Sequence, residues 1–129
     1  MALDPEKKDR SYQFGRLLAV MEKVERDSYG SEEGREPNAI RLQSVFCQRP
    51  MYVAGMVEKQ LERAYYPRLK IGSRIWYKNL MGEIMTVISE FPQEDWNKPL
   101  EESYLMGYYL QRSALYTKKT DNEVEEVEA

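Results

Sequence analysis

Phe14, Leu17, Leu18, Met21 and Val24 recur at i, i+3, i+4, i+7 and i+10, a spacing that only a helix gathers into one stripe. This feature constrains the fold most, because the same period returns three times further along the chain. Asp9 to Tyr29 is thus the first helix. GSEEGREP, residues 30 to 37, breaks it with two glycines, a proline and four charges. Asn38 suits the N-cap of a short second helix to about Cys47, with Ile40, Val45 and Phe46 facing inward.

Pro50 fits the first turn of a third helix, where its missing N–H would have no intrahelical partner anyway. That helix reaches about Tyr66 and carries Val53, Met56, Val57, Leu61, Ala64 and Tyr65 on one side. Ser73 can cap a fourth helix with Trp76, Leu80, Ile84, Val87, Ile88 and Phe91 on its apolar face. A fifth runs from about Leu100 to Thr117. No segment alternates as a strand does, so the expected fold is all-α, a compact antiparallel bundle of about five helices joined by short connections. Residues 1–8 are expected as a flexible arm, 9–118 as the bundle, and 119–129 as a disordered acidic tail.

Each longer helix contains a glycine, Gly15, Gly55, Gly82 or Gly107, although glycine in a helix interior costs about 1 kcal/mol relative to alanine. Close helix approach is the expected compensation. Gly15 with Ala19, and Ser103 with Gly107, form small-residue grooves four residues apart, so the first and fifth helices are expected to cross there. In the fifth helix, SYLMGYYLQRSALY holds four of the ten tyrosines. Apolar or aromatic groups occupy most of its circumference, which predicts a helix covered on more than one face, with tyrosines that pack rather than stack on bases.

The chain of 129 residues has no histidine and one cysteine, Cys47. Ser-His and Cys-His nucleophile pairs, His-containing zinc sites and an intrachain disulfide are thereby excluded. The carboxylate pairs Glu22/Glu25, Glu58/Glu62 and Glu101/Glu102 sit among polar neighbours and are read as solvated helix surface. The expectation is a protein that is not an enzyme and uses no metal or cofactor. The amino end lacks the apolar core of a secretory signal and no apolar run approaches a bilayer span, so a cytoplasmic location is expected.

Charge is distributed unevenly. Residues 1–36 are net −2, residues 37–82 net +6 with eight basic and two acidic side chains, and residues 83–129 net −7. The central block supplies Arg41, Arg49, Lys59, Arg63, Arg68, Lys70, Arg74 and Lys78 as candidate nucleic-acid contacts, since phosphates laid along such a face would release condensed counterions. No helix-turn-helix is recognisable, so the contact would follow the backbone rather than read bases. A face that only keeps the protein soluble, or that meets an acidic protein as part of a helical adaptor, has the same composition.

SYQFGRLLAVMEKVE, NLMGEIMTVISEFP and LEESYLMGYYLQRSALY occur in an order and spacing similar to the carboxyl end of the large subunit of type I-C CRISPR Cascade complexes. That region is also made separately, from an internal start codon, as a small subunit, and this chain resembles that subunit over roughly Ser11 to Tyr116. The residues carrying the resemblance include Gly15, Arg16, Gly107, Tyr108, Tyr109 and Arg112. It implies a non-catalytic helical subunit that stabilises the R-loop. Its partners would be the crRNA-bearing backbone subunits, the large subunit, further copies of itself and the displaced non-target strand of target DNA. Arg16 and Arg112 would be either helix anchors or subunit contacts.

Overall fold

The computed structural model describes residues 2–29 and 36–128, with side chains described as far as Thr117; the connection at 30–35 lies outside the described residues. The helices are α1 (Arg10–Tyr29), α2 (Asn38–Arg41), α3 (Gln43–Gln48), α4 (Pro50–Gln60), α5 (Ile71–Ser89) and α6 (Ser103–Glu128). No strand occurs among the described residues, and the all-α expectation holds.

α1 is the axis of the fold. Every residue from Ser11 to Glu25 is buried, polar ones included. The single apolar stripe read from the sequence is therefore only one of several covered faces. Phe14 meets Phe46 edge to face at 6.0 Å, while Tyr29 meets Tyr65 at 5.3 Å, so α4 climbs alongside α1. α5 descends, since Asp27 accepts from the Tyr77 hydroxyl and Lys8 pairs with Glu90. α6 climbs again: the pairs Asp9–Ser103, Arg16–Gln111 and Lys23–Tyr116 advance along both helices together. α4, α5 and α6 thus alternate in direction, as short connections favour, whereas α4 and α6 both run parallel to α1, α2 and α3 having carried the chain back between α1 and α4.

The α1–α6 crossing lies at the predicted glycines. A Cβ added to Gly15 would stand 1.9 Å from the Tyr104 carbonyl oxygen, and one on Gly107 would stand 2.0 Å from that of Tyr12. The expectation fails for the other two. A Cβ on Gly55 or Gly82 meets nothing within 4 Å, so no close approach inside the fold accounts for either.

Several boundaries shift for identifiable reasons. Pro37, not Asn38, holds the N-cap of α2, and the cap is tertiary: the buried Glu25 carboxylate accepts from the Asn38 and Ala39 amides, both at 2.9 Å. A break at Leu42 separates α2 from α3. α4 continues through a π turn, Leu61–Tyr65, and a 3₁₀ turn, Tyr66–Arg68. Pro67 cannot donate to the Arg63 carbonyl, so the chain exchanges the regular bonds for wider and tighter ones, and Tyr65 and Tyr66 both become buried. α5 begins two residues before Ser73, and its inward stripe is Tyr77, Met81, Ile84 and Ile88. Trp76 and Leu80 lie only at its margin. α6 starts at Ser103 rather than Leu100, and its backbone is helical to Glu128 rather than ending at Thr117. The side chains of the expected acidic tail lie outside the described residues.

The amino-terminal arm is tied down by α1. Gln13 donates to the Pro5 and Lys7 carbonyls, and Arg16 donates to Pro5 at 2.9 Å. Glu22 and Glu25, expected on solvent, are each 3% exposed because α1 is surrounded. Glu22 accepts from Arg26 and from the Tyr108 hydroxyl, and Lys23 bonds Asp27 at 3.0 Å. Among the described residues no buried side-chain polar atom lacks a partner.

This packing sets the sign of four substitutions. Gly15→Ala and Gly107→Ala should each cost ~3 kcal/mol, at the upper end for overpacking, because the obstacle is backbone. Gly55→Ala and Gly82→Ala should instead stabilise by up to about 1 kcal/mol. Urea unfolding of the four variants checks both signs. Burial first, then hydrogen bonds to Asp27 and Glu22, push the Tyr77 and Tyr108 hydroxyls well above the ordinary tyrosine value. Their contribution is complete below the unfolded tyrosine pKa of about 10 and is lost as pH rises from there toward the folded values. Urea midpoints should therefore fall above about pH 10, less steeply in Tyr77→Phe and Tyr108→Phe than in the parent.

Candidate nucleic-acid interface

The eight basic residues of the central block do not form one patch. Two are structural braces. Arg68 donates from Nε to the Ser28 carbonyl at 3.0 Å and lies 3.9 Å from the Tyr29 ring centroid, so it closes the carboxyl end of α1. Arg74 donates from Nε to the Tyr66 carbonyl at 3.1 Å, an acceptor it shares with the Leu69 amide that closes the 3₁₀ turn. Lys78 pairs with Glu62 at 3.1 Å and stands 4.9 Å from the Tyr66 ring centroid. Lys70 is exposed at the N-cap of α5, and Arg41 is exposed but bonded to Asn38.

Arg49, Lys59 and Arg63 remain on the outer side of α4. Tyr52, Met56, Lys59 and Arg63 are spaced four, three and four residues apart, one exposed stripe of a helix. Arg49, in the extended turn that opens α4, places its guanidinium 4.8 Å from the Tyr52 ring centroid. Lys59 and Arg63 make no ion pair among the described residues. From Arg49 to Arg63 the stripe covers about 21 Å at 1.5 Å per residue. It therefore offers a cation stacked on an aromatic at one end and two free cations at the other.

Sequence reasoning misses two members of this stripe. Met56, expected on the inward side of its helix, is 37% exposed, and Tyr52, absent from the candidate contacts, is 52% exposed. The signal lies in the spacing of Tyr52 with Lys59 and Arg63, on the side away from Val53, Val57 and Leu61. Chemically the stripe can hold a phosphate chain and support a base, without groups placed to read base edges.

The motif residues divide in the same way. Arg16 is 2% exposed, donates to Gln111 and Gln13 at 2.8 Å each, and is a helix anchor; burial lowers its pKa from the ordinary arginine value. Gly15 and Gly107 form the crossing, and Tyr108 reaches Glu22. Tyr109 and Arg112 are on the surface, Tyr109 being 59% exposed. α6 rests chiefly on α1 alone, so Leu105, Met106, Tyr109 and Tyr116 stay exposed. This corrects the expectation of a helix covered on several faces. Cys47 is half-buried, and its carbonyl accepts from the Leu100 amide. Among the described residues, no three potential metal ligands converge, and no helix is long and apolar enough to cross a membrane.

Residues 1–116 match the family described as CRISPR-associated protein (Cas_Csd1). A comparison with curated proteins gave no match.

The division of cations predicts a division of phenotypes. Arg68→Ala and Arg74→Ala should each lower stability by about 1–2 kcal/mol, as expected for removal of a hydrogen bond from a charged donor. Lys59→Ala and Arg63→Ala should stay within about 0.5 kcal/mol of the parent. Thermal unfolding of the four variants distinguishes braces from free cations.

Proposed function

The chain belongs to the CRISPR-associated Cas_Csd1 family, and on that premise we propose that it is a non-catalytic small subunit of an RNA-guided Cascade complex of type I-C. In this role it works in the cytoplasm, bridges the crRNA-bearing backbone and the large subunit, and steadies the R-loop by sequence-independent contact with the displaced DNA strand. The observation that carries the reading is the outer stripe of α4. Lys59 and Arg63 are exposed without ion pairs among the described residues, in line with the Arg49–Tyr52 stack.

Physically, the two cations would replace condensed counterions on the phosphates, and the Tyr52 ring would offer a face that any base can use. The exposed Leu105, Met106, Tyr109 and Tyr116 of α6 support the assembly part of the reading, because an apolar stripe on a small domain is suited to a neighbouring subunit. The expected DNA contacts therefore narrow to Arg49, Lys59 and Arg63, while Arg68 and Arg74 serve the fold.

The test is the salt dependence of target binding by the assembled complex. Lys59→Glu with Arg63→Glu should weaken binding and flatten the log–log salt slope by about 0.7 for each single-strand phosphate that is no longer neutralised. Arg68→Ala with Arg74→Ala should leave the slope unchanged. An unaltered slope in the first pair would contradict the proposal.

A further inference from the structure

α4 and α5 both lean on α1 and make at most marginal contact with each other. The gap between them is a groove of about 310 Å³, floored by Leu17 and Met21 of α1 and walled by Met51, Met81 and Met85. Gly55 and Gly82 line it from the two sides, both exposed, with open space where a Cβ would be.

These two glycines pose a physical question that Gly15 and Gly107 do not. The latter are needed because a backbone carbonyl of the facing helix occupies the position a Cβ would take. Gly55 and Gly82 carry the same cost of about 1 kcal/mol relative to alanine, with nothing inside the fold to offset it. The physical advantage left to a helix glycine is close approach by a backbone from outside the chain. The methionine walls suit such a visitor, being unbranched and able to repack around different side chains.

Charge narrows the visitor's chemistry. The +6 block of residues 37–82 contains two acids, Glu58 and Glu62, and both line this groove. Lys78 lines it too but is paired with Glu62, and Lys59 and Arg63 stand at its outer rim, whereas Glu58 makes no ion pair among the described residues. Apolar walls beside an unpaired carboxylate reject a nucleic-acid strand and favour an apolar helix that bears a cation. The outer stripe of α6, with Leu105, Tyr109 and Arg112, has that chemistry. Seating it in the groove of a second copy would be a heterologous contact, one that builds open chains unless its rotation happens to close.

We propose that the α4–α5 groove docks an amphipathic helix of a different polypeptide, its backbone lying close to Gly55 and Gly82 and a Lys or Arg meeting Glu58. This docking uses a face of α4 that adjoins the stripe proposed for DNA. It is tested on the free chain with methionine methyl groups labelled with carbon-13, using a Leu/Lys amphipathic helical peptide as the probe and a Leu/Glu peptide of the same length as control.

The basic peptide should shift the methyl signals of Met51, Met81 and Met85 saturably and leave Met106 unmoved, and the acidic peptide should shift none of them. Gly55→Leu with Gly82→Leu should keep or raise the melting temperature while abolishing these shifts. Glu58→Lys should weaken the basic peptide about tenfold or more, a change of 1.4 kcal/mol per tenfold. Unmoved groove methyls, or unimpaired binding in the leucine variant, would overturn the proposal. So would shifts produced by concentrating the chain alone, which would give the groove to a second copy, or by a single-stranded oligonucleotide. The peptide outcomes do not depend on whether Lys59 and Arg63 contact DNA.

Discussion

The structure depends on one contact, the crossing of α1 and α6 at Gly15 and Gly107, where each helix presents a backbone carbonyl to the other's missing side chain. No larger residue can stand at either position without moving a helix. Because the helices come this close, the side chains flanking the crossing meet at bonding distance. Asp9 reaches Ser103, Arg16 reaches Gln111, and Tyr108 reaches Glu22. The long closure between the ends of the chain is therefore fixed by polar pairs as well as by packing.

A surrounded α1 sets a demanding electrostatic condition. Arg16, Glu22, Lys23 and Glu25 are all within a helix that water scarcely reaches, where an unpaired charge would cost several kcal/mol. Each is given a partner from another segment or from the next helical turn. Arg16 binds the amino-terminal arm and α6, Glu25 caps α2, and Lys23 lies 4.1 Å from the Tyr116 ring centroid as well as beside Asp27. These pairings account for the tethered arm and for the start of α2 without a side-chain cap of its own.

Helix type and number are legible in the sequence because they depend on local period, and the α1–α6 crossing is legible because paired small residues have few other uses in a helix. What faces inward is less legible. The period of α1 marks an apolar stripe, but it cannot reveal that other segments cover the remaining faces, so Glu22 and Glu25 look like surface. The π turn that brings both Tyr65 and Tyr66 inside is hidden for a similar reason, since it follows from Pro67 acting together with the core beneath it. At the candidate interface, the run of cations is visible in the sequence but their employment is not. Arg68 and Arg74 are committed to the carbonyls of Ser28 and Tyr66, acceptors that come within reach only after folding.

Saturation of α1 by its neighbours is also what leaves the outer side of α4 and the α4–α5 groove available to other molecules: α4 uses Val53, Val57 and Leu61 to hold α1 and turns Tyr52, Lys59 and Arg63 outward. The most direct measurement of this account is native-state hydrogen exchange along α1. If α1 is the axis on which every other segment rests, its central amides, from Phe14 to Val24, should exchange only through global unfolding, with opening free energies equal to that of the whole domain and above those of α4. Exchange of these amides at a free energy clearly below global unfolding, while α4 or α5 stays protected, would contradict it.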